Sequence, residues 1–141
     1  IAVYSHLPLD DSIIPFLQTH GVPFERVALY RMKKPEIIRA YRKPALVIAM
    51  RGHAQMIPFG VHTPTISLIS HDKMAWFLED ISSSDWGIEI NDLNLSDEIV
   101  RKAGYMLENF DDIQSRIRST QDTLYRISQA NIELISNAMI L

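Results

Sequence analysis

From Ile1 to Ile90, short apolar runs alternate with stretches whose apolar residues recur every three or four positions. Runs of the first kind read as strands and stretches of the second as helices. Ile1–Ser5 is the first strand. A helix carrying Ile13, Ile14 and Leu17 follows, with Asp11 or Ser12 as its cap, Pro15 in its first turn and Gly21 at its end. Phe24–Tyr30 is a second strand. Pro35–Arg42 is helical, with Ile37, Ile38 and Tyr41 on one face and Pro44 as the stop. Ala45–Met50 is continuously apolar, the pattern of a strand buried on both faces. A short helix spans His53–Phe59 and ends at Gly60. Thr65–Ile69 is a fourth strand, Lys73–Ile81 a helix with Met74, Phe77, Leu78 and Ile81 on one side, and Trp86–Ile90 a fifth strand.

Strands alternating with helices predict an α/β fold: a Rossmann-like parallel sheet with helices on both faces. Two helices follow. Ser96 caps the first, whose apolar residues are Ile99, Ala103, Met106, Leu107 and Phe110. The second runs from Asp111 to about Ala138. Its stripe of Ile113, Ile117, Leu124, Ile127 and Leu134 also includes Thr120 and Asn131. That stripe suits packing on the sheet or on a neighbouring domain, with a coiled coil as the alternative.

Composition narrows the class. The chain has 141 residues, 47% hydrophobic and 22% charged, enough for one domain with a real core. A formal charge of −3 argues against generic nucleic-acid binding. With no cysteine there is no disulfide framework, thiolate chemistry or cysteine-based zinc site. No apolar run reaches the length of a membrane span. The chain opens on a strand already under way, so it reads as a domain of a longer protein. Charge is uneven. Arg31, Lys33, Lys34, Arg39, Arg42, Lys43 and Arg51 face Glu36 alone, whereas Asp72–Glu98 is mostly acidic. Solvated helix faces account for both; a basic wall beside an anion site is the sharper alternative.

In open parallel sheets, ligands bind at the C-terminal ends of the strands. The loops there carry His6 with Asp10 and Asp11, then Arg31, then Arg51-Gly52-His53, then Ser70-His71-Asp72-Lys73. Helix N-termini at those loops add N–H donors and partial positive charge. Arg51 offers a planar fork for carboxylate or phosphate, and Gly52 lets a ligand approach the backbone. Histidine is the side-chain type that titrates near neutral pH, which singles out His53 and His71. Each feature has a plainer explanation: a histidine at a helix start is often a packed or capping residue. His62 reads as loop and His20 as a helix C-terminal residue. Met50, Met56 and Met74 read as core filler. Trp76 and Trp86 suit either core or a partner. No GxGxxG, P-loop lysine or HExxH is present.

The stretches Val47-Ile48-Ala49-Met50-Arg51-Gly52-His53, Pro58-Phe59-Gly60, Pro64-Thr65-Ile66-Ser67-Leu68-Ile69-Ser70-His71-Asp72-Lys73 and Phe77-Leu78-Glu79-Asp80 resemble the C-terminal half of the polysaccharide pyruvyl transferase family. Arg51 and His53 fill the outer positions of the family's Arg–apolar–His signature, while Gly52 departs from its bulky middle residue. The resemblance is strongest over residues 45–80. It implies the donor-binding half of a two-domain glycosyltransferase-B-like transferase, inactive as an isolated piece, that needs an N-terminal domain. It further implies transfer of pyruvate from phosphoenolpyruvate to two hydroxyls of a sugar or lipid-linked saccharide, with no cofactor, in the cytoplasm or at the inner membrane surface. His53 is then donor ligand or general acid, Arg51 and Gly52 contact the donor, and Ser70, His71 and Lys73 are secondary candidates. Two alternatives stand beside it: a nucleotide-sugar glycosyltransferase donor domain and a non-catalytic Rossmann-like interaction module.

Overall fold

The computed structural model describes residues 1–138. Contacts divide the chain into two compact units, Ile1–Ala40 and Tyr41–Leu141.

In the first unit, β1 (Ala2–Ser5) pairs in parallel with β2 (Glu25–Ala28), Ala2 opposite Glu25 and Ser5 opposite Ala28. A 3-10 turn over Pro8–Ile13 and α1 (Ile14–Thr19) connect them. Gly21, at φ +64, ends this helix as expected: Val22 N–H reaches the Leu17 carbonyl (3.0 Å) and Gly21 N–H the Gln18 carbonyl (3.1 Å). That left-handed closure favours glycine. His20 behaves as a C-terminal histidine, its Nδ1 2.8 Å from the Phe16 carbonyl. Asp11 is not the cap. It accepts from Ser5 Oγ at 2.6 Å and pairs with Arg26, so its carboxylate is already spoken for. Asp10 instead accepts the N–H groups of His6 and Leu7, each at 2.9 Å. A 3-10 turn (Leu29–Arg31) and α2 (Lys34–Tyr41) follow, the unit boundary falling at the last residue of α2.

The second unit holds β3 (Val47–Ala49), α3 (Gly52–Gly60), β4 (Thr65–Ile69), α4 (Asp72–Asp80), a 3-10 turn (Ser84–Trp86), β5 (Gly87–Glu89), α5 (Leu95–Glu108) and α6 (Phe110–Ala138). Its three strands are parallel in the order β3-β4-β5. The alternation of strands and helices thus gives an α/β fold, with the strands shared between two small parallel sheets. Thr65, Ile66 and Ser67 are all buried. Successive strand residues point to opposite faces, so helices cover both faces of β4. Ile66 and Ile88 from the sheet pack with Phe59, Leu78, Trp86, Met106, Ile113 and Ile117 in one core.

Several expectations need correction. The strand expected to be buried on both faces is the edge strand β3, where Ile48 is 49% exposed; the central strand β4 is the buried one. Met50 and Met56 are exposed, so of the three methionines expected as core filler Met74 alone is buried. Trp86 is buried and Trp76 exposed. Ser96 does not cap α5, which begins at Leu95 after a turn built on Asp92. His62 is more than loop. It adopts φ +66 and places Nε2 2.6 Å from Gln121 Oε1, while Gln121 Nε2 donates to the Phe59 carbonyl. These bonds fasten the first half of α6 to the turn after α3. Beyond Leu124 the helix is exposed.

Candidate functional site

The strongest cluster of candidates forms on the C-terminal edge of the β3-β4-β5 sheet. Ala49, the last residue of β3, stands opposite Ser67, and β4 runs on to Ile69, so the chain leaves these neighbouring strands at points staggered by two residues. Each strand passes through two residues into a helix, Met50-Arg51 and Ser70-His71, the second of them extended. Arg51 (φ −135, ψ 146) precedes α3 and His71 (φ −154, ψ 149) precedes α4. The two loops are therefore built alike: Arg51 corresponds to His71, Gly52 to Asp72 and His53 to Lys73. Neither Arg51 nor His71 makes a side-chain capping bond to its helix. In α4 the Met74 N–H already donates to the His71 carbonyl at 2.9 Å; the first N–H groups of a helix otherwise lack an intrahelical acceptor, so each helix start presents donors and partial positive charge.

All six of these side-chain positions are exposed. Arg51 thus does not leave a strand buried on both faces, as the apolar run suggested; it stands in solvent beside the edge strand. Arg51 and Lys73 are the cations of this set and Asp72 its carboxylate; Glu89, opposite Ile69 at the end of β5, adds a second carboxylate to the same edge. Ser70 Oγ lies 2.6 Å from His71 Nδ1 and 3.7 Å from Met74 Sδ, which orients the His71 ring and leaves Nε2 as its other hydrogen-bonding nitrogen. A Cβ at Gly52 would meet no protein atom within 4 Å, so nothing in the protein itself demands glycine there. The face presents Arg51, Lys73 and two histidines to solvent.

Gln55 was not among the residues the sequence singled out. It is 1% exposed and its Nε2 donates to the Met74 carbonyl at 3.2 Å, joining the first turns of α3 and α4. Phe59 and Phe77 continue that contact with ring centroids 5.6 Å apart and planes at 87°, the edge-to-face arrangement favoured by aromatic quadrupoles. The signal for Gln55 was a lone amide within the otherwise apolar stretch Ala54–Phe59.

The other loop candidates belong to the first unit. Asp11 is held by Arg26, Ser5 and Tyr30, and hydrogen bonds from the Arg26 and Ser5 side chains keep its carboxyl below the usual range. Arg31 lies 5.5 Å from the Tyr30 ring centroid. In the second unit two carboxylates of the acidic stretch pair with arginines that follow it: Asp85 with Arg116 at 2.7 Å and Glu98 with Arg101 at 2.6 Å. Among the described residues, no group of three or more histidines and carboxylates is arranged to hold a metal, and no helix is long and apolar enough to cross a membrane. No protein-family model, curated protein or solved structure matches the chain.

Proposed function

We propose that the second unit binds a compact, doubly anionic donor across the ends of β3 and β4, and that the donor is phosphoenolpyruvate. One observation carries this: two helix N-termini follow adjacent strands, staggered by two residues, and are led by Arg51 and His71. Phosphoenolpyruvate carries a carboxylate and a phosphate on one three-carbon frame. One helix start with Arg51 suits one group, and the neighbouring start with His71 and Lys73 suits the other. The resemblance over residues 45–80 supports the same donor and makes the chain the donor half of a cytoplasmic polysaccharide pyruvyl transferase.

The chemistry then follows. One sugar hydroxyl attacks C2 of the enol phosphate while C3 takes a proton and becomes the methyl group. A second hydroxyl displaces phosphate from C2 and closes the ketal. One of the two hydroxyl protons balances C3, and the other leaves with phosphate. His53, in the first turn of α3, is the proton donor to C3 in this scheme, and Arg51 orients the donor. The acceptor and the domain that presents it lie outside the chain.

The same pair of helix starts also suits the diphosphate of a nucleotide sugar, which is the second reading. Competition calorimetry on the protein separates them. Binding of phosphoenolpyruvate that a UDP-sugar does not displace supports pyruvyl transfer. Binding of the UDP-sugar alone supports glycosyl transfer. Binding of neither makes the unit an interaction module and overturns both.

A further inference from the structure

His71, which precedes α4, has its ring held by its neighbour in sequence. Ser70 Oγ lies 2.6 Å from His71 Nδ1 and 3.7 Å from Met74 Sδ. Met74 is buried and its backbone closes the same turn: its N–H donates to the His71 carbonyl at 2.9 Å, and its carbonyl accepts from Gln55. The Ser70 hydroxyl therefore sits on a buried sulfur just past the end of β4, while His71 is exposed. A hydroxyl has one proton, and here it has two possible acceptors. Given to Nδ1, that proton leaves the neutral imidazole with its own proton on Nε2. Given to Sδ, it requires Nδ1–H to donate to Oγ and leaves Nε2 bare. A thioether sulfur is a weak acceptor and a neutral imidazole nitrogen a good one, so the first arrangement wins for the neutral ring. In the imidazolium both nitrogens carry protons; the hydroxyl then turns to Sδ and accepts from Nδ1. Nε2 bears a proton in either charge state.

We infer that Ser70 is a positioning residue that fixes His71 as an Nε2–H donor to an anionic oxygen of the bound ligand. The inference rests on the reading that an anionic donor binds between the starts of α3 and α4. It divides the work between the two histidines of this face. An imidazole already protonated on Nε2 cannot take a proton there, so His71 holds the anion and proton transfer stays with His53. Ionised phosphate and carboxylate oxygens only accept, so an N–H that is present whether the ring is neutral or charged suits them. Ser70 itself acts through His71 and not on the ligand.

Nitrogen-15 correlation spectra of the imidazole rings, recorded at a pH where the rings are neutral, test this without any ligand. The His71 signals are assigned by their loss in His71→Gln. The expected result is the Nε2–H tautomer alone for His71 in the wild type and a mixture of both tautomers in Ser70→Ala. An Nδ1–H tautomer in the wild type, or equal tautomer populations in the two proteins, overturns the inference. Binding gives a second readout. Phosphoenolpyruvate affinity is expected to fall roughly three- to tenfold in Ser70→Ala, the contribution of one ordinary hydrogen bond, and to return in Ser70→Thr, which keeps the hydroxyl. An affinity loss in Ser70→Ala with unchanged tautomer populations makes Ser70 a direct ligand contact and overturns the positioning role. No binding of phosphoenolpyruvate to the wild type defeats the donor reading itself, and the tautomer spectra of the free protein still decide what Ser70 does to His71.

Discussion

Gln55 Nε2 donates to the carbonyl of Met74 across 3.2 Å, and so the first turn of α3 is tied to the first turn of α4. The residues that carry the candidate site, Arg51 and His53 on one side and Ser70, His71 and Lys73 on the other, flank this bond in sequence. Spacing between the two helix starts therefore depends on a residue that never reaches the ligand. Gln55→Met keeps the volume and removes both polar ends. It is expected to lower stability by about 1–3 kcal/mol, since the buried amide–carbonyl bond is lost. Donor affinity per folded molecule should fall as well. Chemical denaturation and calorimetry on the same variant check both; intact affinity would show that the tie does not position the site.

Arg51→Lys separates a binding role from a structural one. Arg51 is exposed, and substitutions at exposed positions usually change stability by less than about 0.5 kcal/mol. Lysine keeps the charge but loses the paired donors that match a carboxylate or phosphate. Phosphoenolpyruvate affinity is expected to drop about tenfold, corresponding to roughly 1.4 kcal/mol, with an unchanged melting temperature. A lowered melting temperature with unchanged affinity removes Arg51 from the site.

The glycines give an internal comparison. A Cβ at Gly87 would lie 2.6 Å from Ile69 Cδ1 and 2.8 Å from Leu78 Cδ1, whereas one at Gly52 meets nothing within 4 Å. Leu78 is 2% exposed and has little room to move. Gly87→Ala is expected to cost about 1–3 kcal/mol by overpacking. Gly52→Ala should leave stability unchanged or raise it by up to about 1 kcal/mol, because alanine is the better helix former. If Gly52 faces the donor, the added methyl group weakens phosphoenolpyruvate binding in a fully stable protein. Thermal melts of both variants, with a binding isotherm for Gly52→Ala, test the pair.

Much of this architecture was legible from residue spacing. Strand and helix order, the closure at Gly21, and the placement of Arg51 and His71 at strand ends all follow from local pattern. Burial did not. Val47, Ile48 and Met50 read as interior, but β3 is an edge strand, and hydropathy carries no information about which strand ends a sheet. The division of strands between two sheets is likewise decided by pairing, which is non-local. Gln55 and Trp86 were missed or left undecided for the same reason: their importance lies in partners from other elements, Met74 for one and Arg116 for the other.

Acid sensitivity follows from Asp85. Hydrogen bonds of 2.7 and 3.0 Å from Arg116 hold its carboxyl below the ordinary value of 3.8. A carboxyl whose value is depressed on folding stabilises the protein fully above its unfolded value. That contribution is lost as pH falls below 3.8 through the folded value. The Asp85 side chain is 56% exposed, so screening limits the effect to less than about 1 kcal/mol. Asp85→Asn is expected to be less stable than the wild type at pH 7 and closer to it at pH 3. Denaturant midpoints at both pH values check this; parallel losses in the two proteins would contradict it.

The proposed site holds one anionic donor at the ends of β3 and β4, between two helix starts. Titrating phosphoenolpyruvate into isotopically labelled protein, and following backbone amide resonances, tests it most directly. The predicted result is saturable shifts concentrated at Gly52, His53 and Ala54 and at Asp72, Lys73 and Met74, lost together in Arg51→Lys at the same ligand concentration. Shifts confined to the exposed basic residues of α2, or no saturable shift at either helix start, would contradict it.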